Sequence, residues 1–193
     1  MLDGSLELST APTFEPVTVA GQKIHSRIDS GNEDGLIADY IKSARRWCEA
    51  FTNRQFVTAT YKYYLPEWLP VIELPKPPVS SVTSITYVDT GGTTQTLSAS
   101  IYQVDTKSIK PRIMPAYGQT WPDIRHEVFN PITITYVAGY GSTVESVPDD
   151  LRMAIMQLVS HWYEHREAVS DFTLSGSVEM TLSALLWPYR VVP

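Results

Sequence analysis

Two helical stripes separated by a long block of period-two sequence constrain this chain more than any other feature. In residues 34–51, apolar side chains fall at Leu36, Ile37, Tyr40, Ile41, Ala44, Trp47, Cys48 and Phe51, one face of a helix with 3.6 residues per turn. Glu33 and Asp34 suit the positive end of its dipole. Leu151, Ala154, Ile155, Leu158, Val159, Trp162 and Tyr163 trace a second stripe, opened by Pro148, Asp149 and Asp150. It predicts a helix over 148–166. A weaker helix over 18–27 is expected, capped by Thr18 and softened by Gly21 at a cost of about 1 kcal/mol. The rows Leu36/Tyr40/Ala44/Trp47 and Leu151/Ile155/Leu158/Trp162 are expected to meet as the central helix pair.

Between the stripes the period changes. Val57, Ala59, Tyr61, Tyr63 and Leu65 alternate with mostly polar residues, and Ile132, Ile134, Tyr136 and Ala138 alternate with Thr133, Thr135 and Val137. Val79–Val88 runs into Asp89-Thr90-Gly91-Gly92, a hairpin turn leading to Thr94–Leu97. Residues 55–138 therefore read as β-rich. Neither helical part alone holds enough apolar side chains for a core of its own. The expected architecture is α+β in a single domain over 1–193. Residues 1–54 and 140–168 form its helical core, with residues 1–17 as a polar arm or loop. Residues 55–139 are a β-rich insertion, and 169–193 an extended C-terminal arm.

Charge excludes several roles. The chain carries 21 acids against 15 bases, a formal net charge of −6, and residues 141–193 hold seven of those acids and three bases. A protein that grips DNA without regard to sequence needs a basic stripe to displace phosphate counterions, and none is visible. The apolar runs are too short to span a membrane, and the N-terminal residues lack the basic start and apolar run of a signal peptide. One cysteine, Cys48, excludes an internal disulfide.

Candidate chemistry is sparse. His161 and His165 stand four apart on one helix face and could share a metal, but Trp162 occupies the place where a zinc protease carries its glutamate. Cys48 lies on the apolar stripe and reads as a small buried hydrophobe, not a nucleophile. Gly139-x-Gly141 reads as a turn, since the following helix starts too late for a dinucleotide loop. No residues assemble into an active site, and no cofactor is expected. Trp68, Trp121 and Trp187 all lie near prolines outside the helices. Either they cap the domain's own core or, with Tyr117, they are candidates for contacts between subunits, because Trp, Tyr and Arg dominate interface energetics. Leu185, Leu186, Trp187, Pro188, Tyr189 and Arg190 form a dense anchor cluster near the C-terminus.

Glu15-Pro16-Val17-Thr18, Arg27-Ile28, Glu33-Asp34 with Leu36-Ile37, Ala44-Arg45 and Thr52-Asn53-Arg54 form an ordered set. Leu74-Pro75 with Pro77-Pro78-Val79, Trp121-Pro122 and Val137-Ala138-Gly139-Tyr140-Gly141 continue it. Val147-Pro148, His161-Trp162-Tyr163-Glu164 with Arg166-Glu167, and Pro188-Tyr189-Arg190 complete it. In order and spacing this set resembles the head–tail connector (adaptor) proteins of long-tailed bacteriophages and prophages. Gly21 and Gly35 depart from it, since better helix formers are usual there.

The resemblance implies a structural virion protein, made in the bacterial cytoplasm and placed at the head–tail interface. Such proteins form a ring, usually of twelve copies, beneath the portal protein. The ring extends the DNA channel and docks the next neck or tail component. It implies no catalysis, and it assigns the 185–190 cluster to portal binding; the alternative for that arm is that it folds back on its own subunit. DNA passes such a ring without sequence-specific binding, which fits a negative chain. The alternatives are another neck protein, such as a stopper or tail-completion factor, and a metal-dependent hydrolase using His161 and His165.

Overall fold

A computed structural model describes residues 4–165 and 176–192, and the chain divides into two units. Arg166, expected to end the third helix, and residues 169–175 of the expected arm lie outside the described residues. One unit gathers the residues up to Pro12 with Thr58–Tyr140; the other gathers Thr13–Val57 with the residues from Gly141 on.

The first unit is built of antiparallel strands: β1 (Ser5–Thr10), β2 (Ala59–Leu65), β3 (Ile72–Glu73), β4 (Val79–Val88), β5 (Thr94–Thr96), β6 (Tyr102–Asp105), β7 (Arg112–Pro115) and β8 (Ile132–Ala138). One sheet has the order β1-β2-β8-β4-β5 and the other β3-β7-β6. The period-two pattern of β8 becomes a burial pattern: Ile132, Ile134, Tyr136 and Ala138 are buried, and Thr133, Thr135 and Val137 half-buried. Its central place in the sheet pairs Tyr61 with Tyr136, whose rings lie 5.8 Å apart, and Ile134 with both Tyr63 and Ile85. Leu65, Ile85 and Ile134 from the larger sheet share one core with Ile72 and Ile113 from the smaller. The Tyr136 hydroxyl donates to the Pro75 carbonyl at 2.8 Å, and burial raises its pKa well above the ordinary value, so it remains a donor. The hairpin turn forms as expected, with Gly92 at φ +86° and the Asp89 carboxylate accepting from the Thr93 N–H at 2.9 Å.

Residues 1–17 are not simply an arm. Ser5–Thr10 pair with β2 in register from Ser5↔Tyr64 to Thr10↔Thr60, and Leu6 packs against the core. The strand was hidden because only Leu6 and Leu8 carry its alternation, and Leu8 is largely exposed.

The second unit holds α1 (Val19–Ser26), α2 (Asp34–Thr52), α3 (Asp149–Glu164) and α4 (Gly176–Leu186), with 3-10 turns at Val144–Ser146 and Trp187–Tyr189. The Thr18 hydroxyl caps α1 by accepting from the Gly21 N–H at 3.0 Å. A Cβ on residue 21 would stand 3.1 Å from that hydroxyl oxygen, so the glycine that weakens the helix also leaves room for its cap. Gln22, fully buried, ties α1 to α3: its side-chain amide nitrogen lies within hydrogen-bond distance of the Met156 carbonyl and Ser160 hydroxyl on α3, and of the Ser26 hydroxyl on its own helix. Helices α1 and α2 end on Arg27 and Asn53, both left-handed. Gly35 has no such reason to be glycine: nothing lies within 4 Å of where its Cβ would be. Gly35→Ala is therefore expected to raise stability by about 0.5–1 kcal/mol, read as a shift of the urea midpoint at constant slope.

Helices α2 and α3 pack together, and the expected rows meet in part: the Tyr40 and Trp162 rings lie edge to face at 6.3 Å and the α3 row is buried through Leu158, but the buried face of α2 is not the expected one. Ile37, Ile41, Ala44 and Cys48 are buried on α2, and Leu151, Ala154, Ile155, Leu158 and Val159 on α3. Leu36 and Tyr40 are only half-buried, and Trp47 is exposed. Taking 100° per residue, the buried face of α2 is turned by about 70° from the centre of its apolar stripe, toward Arg45, Glu49 and Thr52. The cause is a polar network. Arg45 donates to Glu15 at 2.6 and 3.1 Å and to Glu49 at 2.7 Å. Glu49 also accepts from the Gln55 side chain and the Phe56 N–H, each at 2.9 Å. Burial works against the Arg45 charge, but the two carboxylates more than offset it and its pKa is raised.

The C-terminal segment is helical where an extended arm was expected. Helix α4 and its following turn occupy 176–189, with Leu182 and Leu186 buried against the second unit. The apolar period was obscured by serine and threonine at Ser177, Thr181 and Ser183.

Candidate assembly surfaces

A surface that joins copies of a chain, or a chain to a partner, needs large side chains left uncovered by their own fold. Trp68 and Trp121 only partly meet that need. Their rings stack on each other at 4.6 Å with planes 9° apart. The Trp68 ring N–H donates to the Pro122 carbonyl at 2.9 Å, and that of Trp121 to the Leu69 carbonyl at 2.8 Å. The pair thus fastens the 66–70 loop to the 121–124 loop, and both rings are half-buried. Tyr117 is fully exposed, and so is Phe129, which the sequence did not single out.

The C-terminal cluster divides. Leu186 is buried in its own chain, and Leu185 half-buried. The Tyr189 carbonyl accepts from Arg54 Nε at 2.5 Å, its hydroxyl donates to Asp150 at 3.2 Å, and the Val191 N–H donates to the Thr52 carbonyl at 2.9 Å. The turn is therefore sewn onto α2 and the start of α3. Trp187, 63% exposed, together with Pro188 and Arg190, is what this segment offers to a partner. The Arg190 guanidinium sits 5.3 Å from the Phe51 ring and 5.2 Å from the Trp187 ring. Phe51 in turn stacks on Trp47 at 5.5 Å. An aromatic ladder thus runs from α2 to the C-terminal turn. Trp47 and Phe51 were hidden from sequence reasoning because they share the stripe of truly buried residues.

The chemical alternatives fare differently. The rings of His161 and His165 are 4.7 Å apart, and His165 Nδ1 lies 3.0 Å from the His161 carbonyl. Among the described residues, no three His, Cys, Asp or Glu side chains gather as a metal site. Cys48 is fully buried, and burial, helped by Glu49, pushes its thiol up to about 12. At neutral pH it stays a protonated thiol. Native protein is accordingly expected to leave Cys48 unlabelled by a disulfide reagent over a period in which denatured protein reacts completely. Among the described residues, no helix is long and apolar enough to cross a membrane.

Comparison with known proteins gives a coherent picture. The family model described as "Head completion protein" matches residues 17–185. No curated protein matches the sequence. Among solved structures, the chain superposes on a chain from the neck of an empty gene transfer agent (GTA) particle computed with C6 symmetry. That match has TM-score 0.81 and 23% identity, and covers 98% of this chain and 96% of the other. A chain of the virion of the native GTA particle matches with TM-score 0.79 and 25% identity over 97% and 96%. One from the neck of the native particle computed with C12 symmetry matches with TM-score 0.78 and 24% identity over 98% and 96%.

Proposed function

The chain belongs to the head completion protein family, and from that premise we propose that it is a structural protein of the virion neck, assembled as a ring of copies beneath the portal. The family agrees with the sequence's resemblance to head–tail connectors. The observation that carries the reading is the match over nearly the full length of both chains to proteins of GTA particles, two of them from necks treated as C6- or C12-symmetric.

In this reading twelve copies close by a heterologous interface, in which one patch of each copy meets a different patch of the next. The exposed Trp187, Pro188 and Arg190 face the portal. Tyr117 and the Trp68–Trp121 loops lie toward neighbouring copies or the next neck component. DNA passes through the opening without sequence-specific contact, because a net charge of −6 repeated around a ring repels phosphate. The protein does structural work and no catalysis.

Counting copies tests this. Quantitative mass spectrometry of purified particles should give as many copies of this chain as of the portal protein. Particles produced without the chain should stop as heads that carry no tail. Tailed, infectious particles lacking the chain would reject the reading.

A further inference from the structure

On a chain of net charge −6, one exposed face runs the other way. Lys42 and Arg46 project from the outer side of α2 beside the uncharged Ser43 and Ala50, with Asp39 one turn before Lys42 as the acid on that face, and Trp47 stands exposed on its flank. Among the described residues neither Lys42 nor Arg46 forms an ion pair. The acid one turn further on, Glu49, is turned inward to Arg45. Trp47 is 37% exposed although it heads the aromatic ladder. A basic and aromatic surface is therefore left open.

The same unit carries a surface of opposite kind. At the start of α3, Glu145, Asp149 and Asp150 are exposed, with Met153 part-exposed among them and only Arg152 as counter-charge. The C-terminal turn relates the two surfaces: Tyr189 bonds Asp150, and Arg190 lies on Phe51, the ring stacked on Trp47. The Trp47 side of the basic surface and the acidic start of α3 therefore flank one turn. Lateral neighbours in a ring meet at one level, so such a contact needs two different, complementary surfaces at one level.

We propose that the acidic start of α3 in one copy seats on the Lys42/Arg46/Trp47 surface of the next, and that this is the contact closing the ring. The occupant is a second copy because the chain itself supplies the matching charge and an apolar residue, Met153, to set against Trp47. Opposed charges at each contact also offset the repulsion among copies that are each −6. The contact rests on the ring reading above and adds its residues. It leaves Trp187 and Pro188 to the portal.

Charge reversal, scored as copies per purified particle, tests it. Lys42→Glu with Arg46→Glu should cut incorporation at least tenfold. The free variant should keep its circular dichroism and melting temperature, since both side chains are exposed. Adding Glu145→Lys with Asp149→Lys to the same chain should restore at least a third of the wild-type number, because each copy then carries both reversed surfaces. Wild-type incorporation of the first variant overturns the proposal and leaves the ring reading standing. Loss that the second pair does not restore, in a chain that still melts normally, also overturns it and assigns the basic surface to the portal or to DNA. Wild-type particles without the chain would instead remove the ring reading itself.

Discussion

Arg45→Ala is expected to destabilise the protein by about 3–5 kcal/mol, measured as loss of unfolding free energy in urea. The Arg45 side chain is only 5% exposed, and its two partners are not equivalent. Glu15 is partly open to solvent and can regain water when the guanidinium is removed. Glu49 cannot regain it so readily: it is held by Gln55 and the Phe56 N–H and would keep a buried charge with its counter-charge gone. Glu15→Gln should therefore cost much less than Arg45→Ala, about 1 kcal/mol. The network joins the 13–17 segment, α2 and the 55–57 segment. A loss under 1 kcal/mol for Arg45→Ala would mean that the triad does not organise that unit.

Leu158→Ala should cost about 2–5 kcal/mol by the same measurement. Leu158 is 1% exposed on α3, on the face that carries Leu151, Ala154 and Ile155. Truncation removes its buried methyl groups and leaves a cavity that neighbouring turns of helix fill only in part. Met153→Ala, at a half-open position on the same helix, is the control and should cost less than about 1 kcal/mol.

The two long helices, β2 and β8 were legible because each repeats its period over seven or more residues, β4 because it is rich in Val, Ser and Thr and runs into a recognisable turn, and the hairpin through its Asp89-Thr90-Gly91-Gly92 chemistry. Strands β3, β6 and β7 are two to four residues long, too short for a period to register. The face of α2 was misjudged for a different reason. Hydrophobicity alone puts Trp47 and Phe51 inside and Arg45 and Glu49 outside, but pairing with Glu15, Gln55 and Phe56 makes burial of the charged residues affordable. Nothing in one sequence reveals that Glu15, thirty residues away, supplies the missing charge. The candidate surfaces were legible as residue types, in the loop tryptophans and the 185–190 cluster. What each side chain leaves uncovered was not, because α4 buries Leu186 while the adjoining turn exposes Trp187.

The central claim is that this chain forms a ring in the neck. Cryo-electron microscopy of the intact particle, reconstructed at the head–tail junction without imposed symmetry, tests it most directly. The account predicts twelve copies of this fold in one layer under the portal, with the start of α3 in each copy against the outer face of α2 in the next. Density for this fold absent from the neck, or present as isolated twofold dimers, would contradict it.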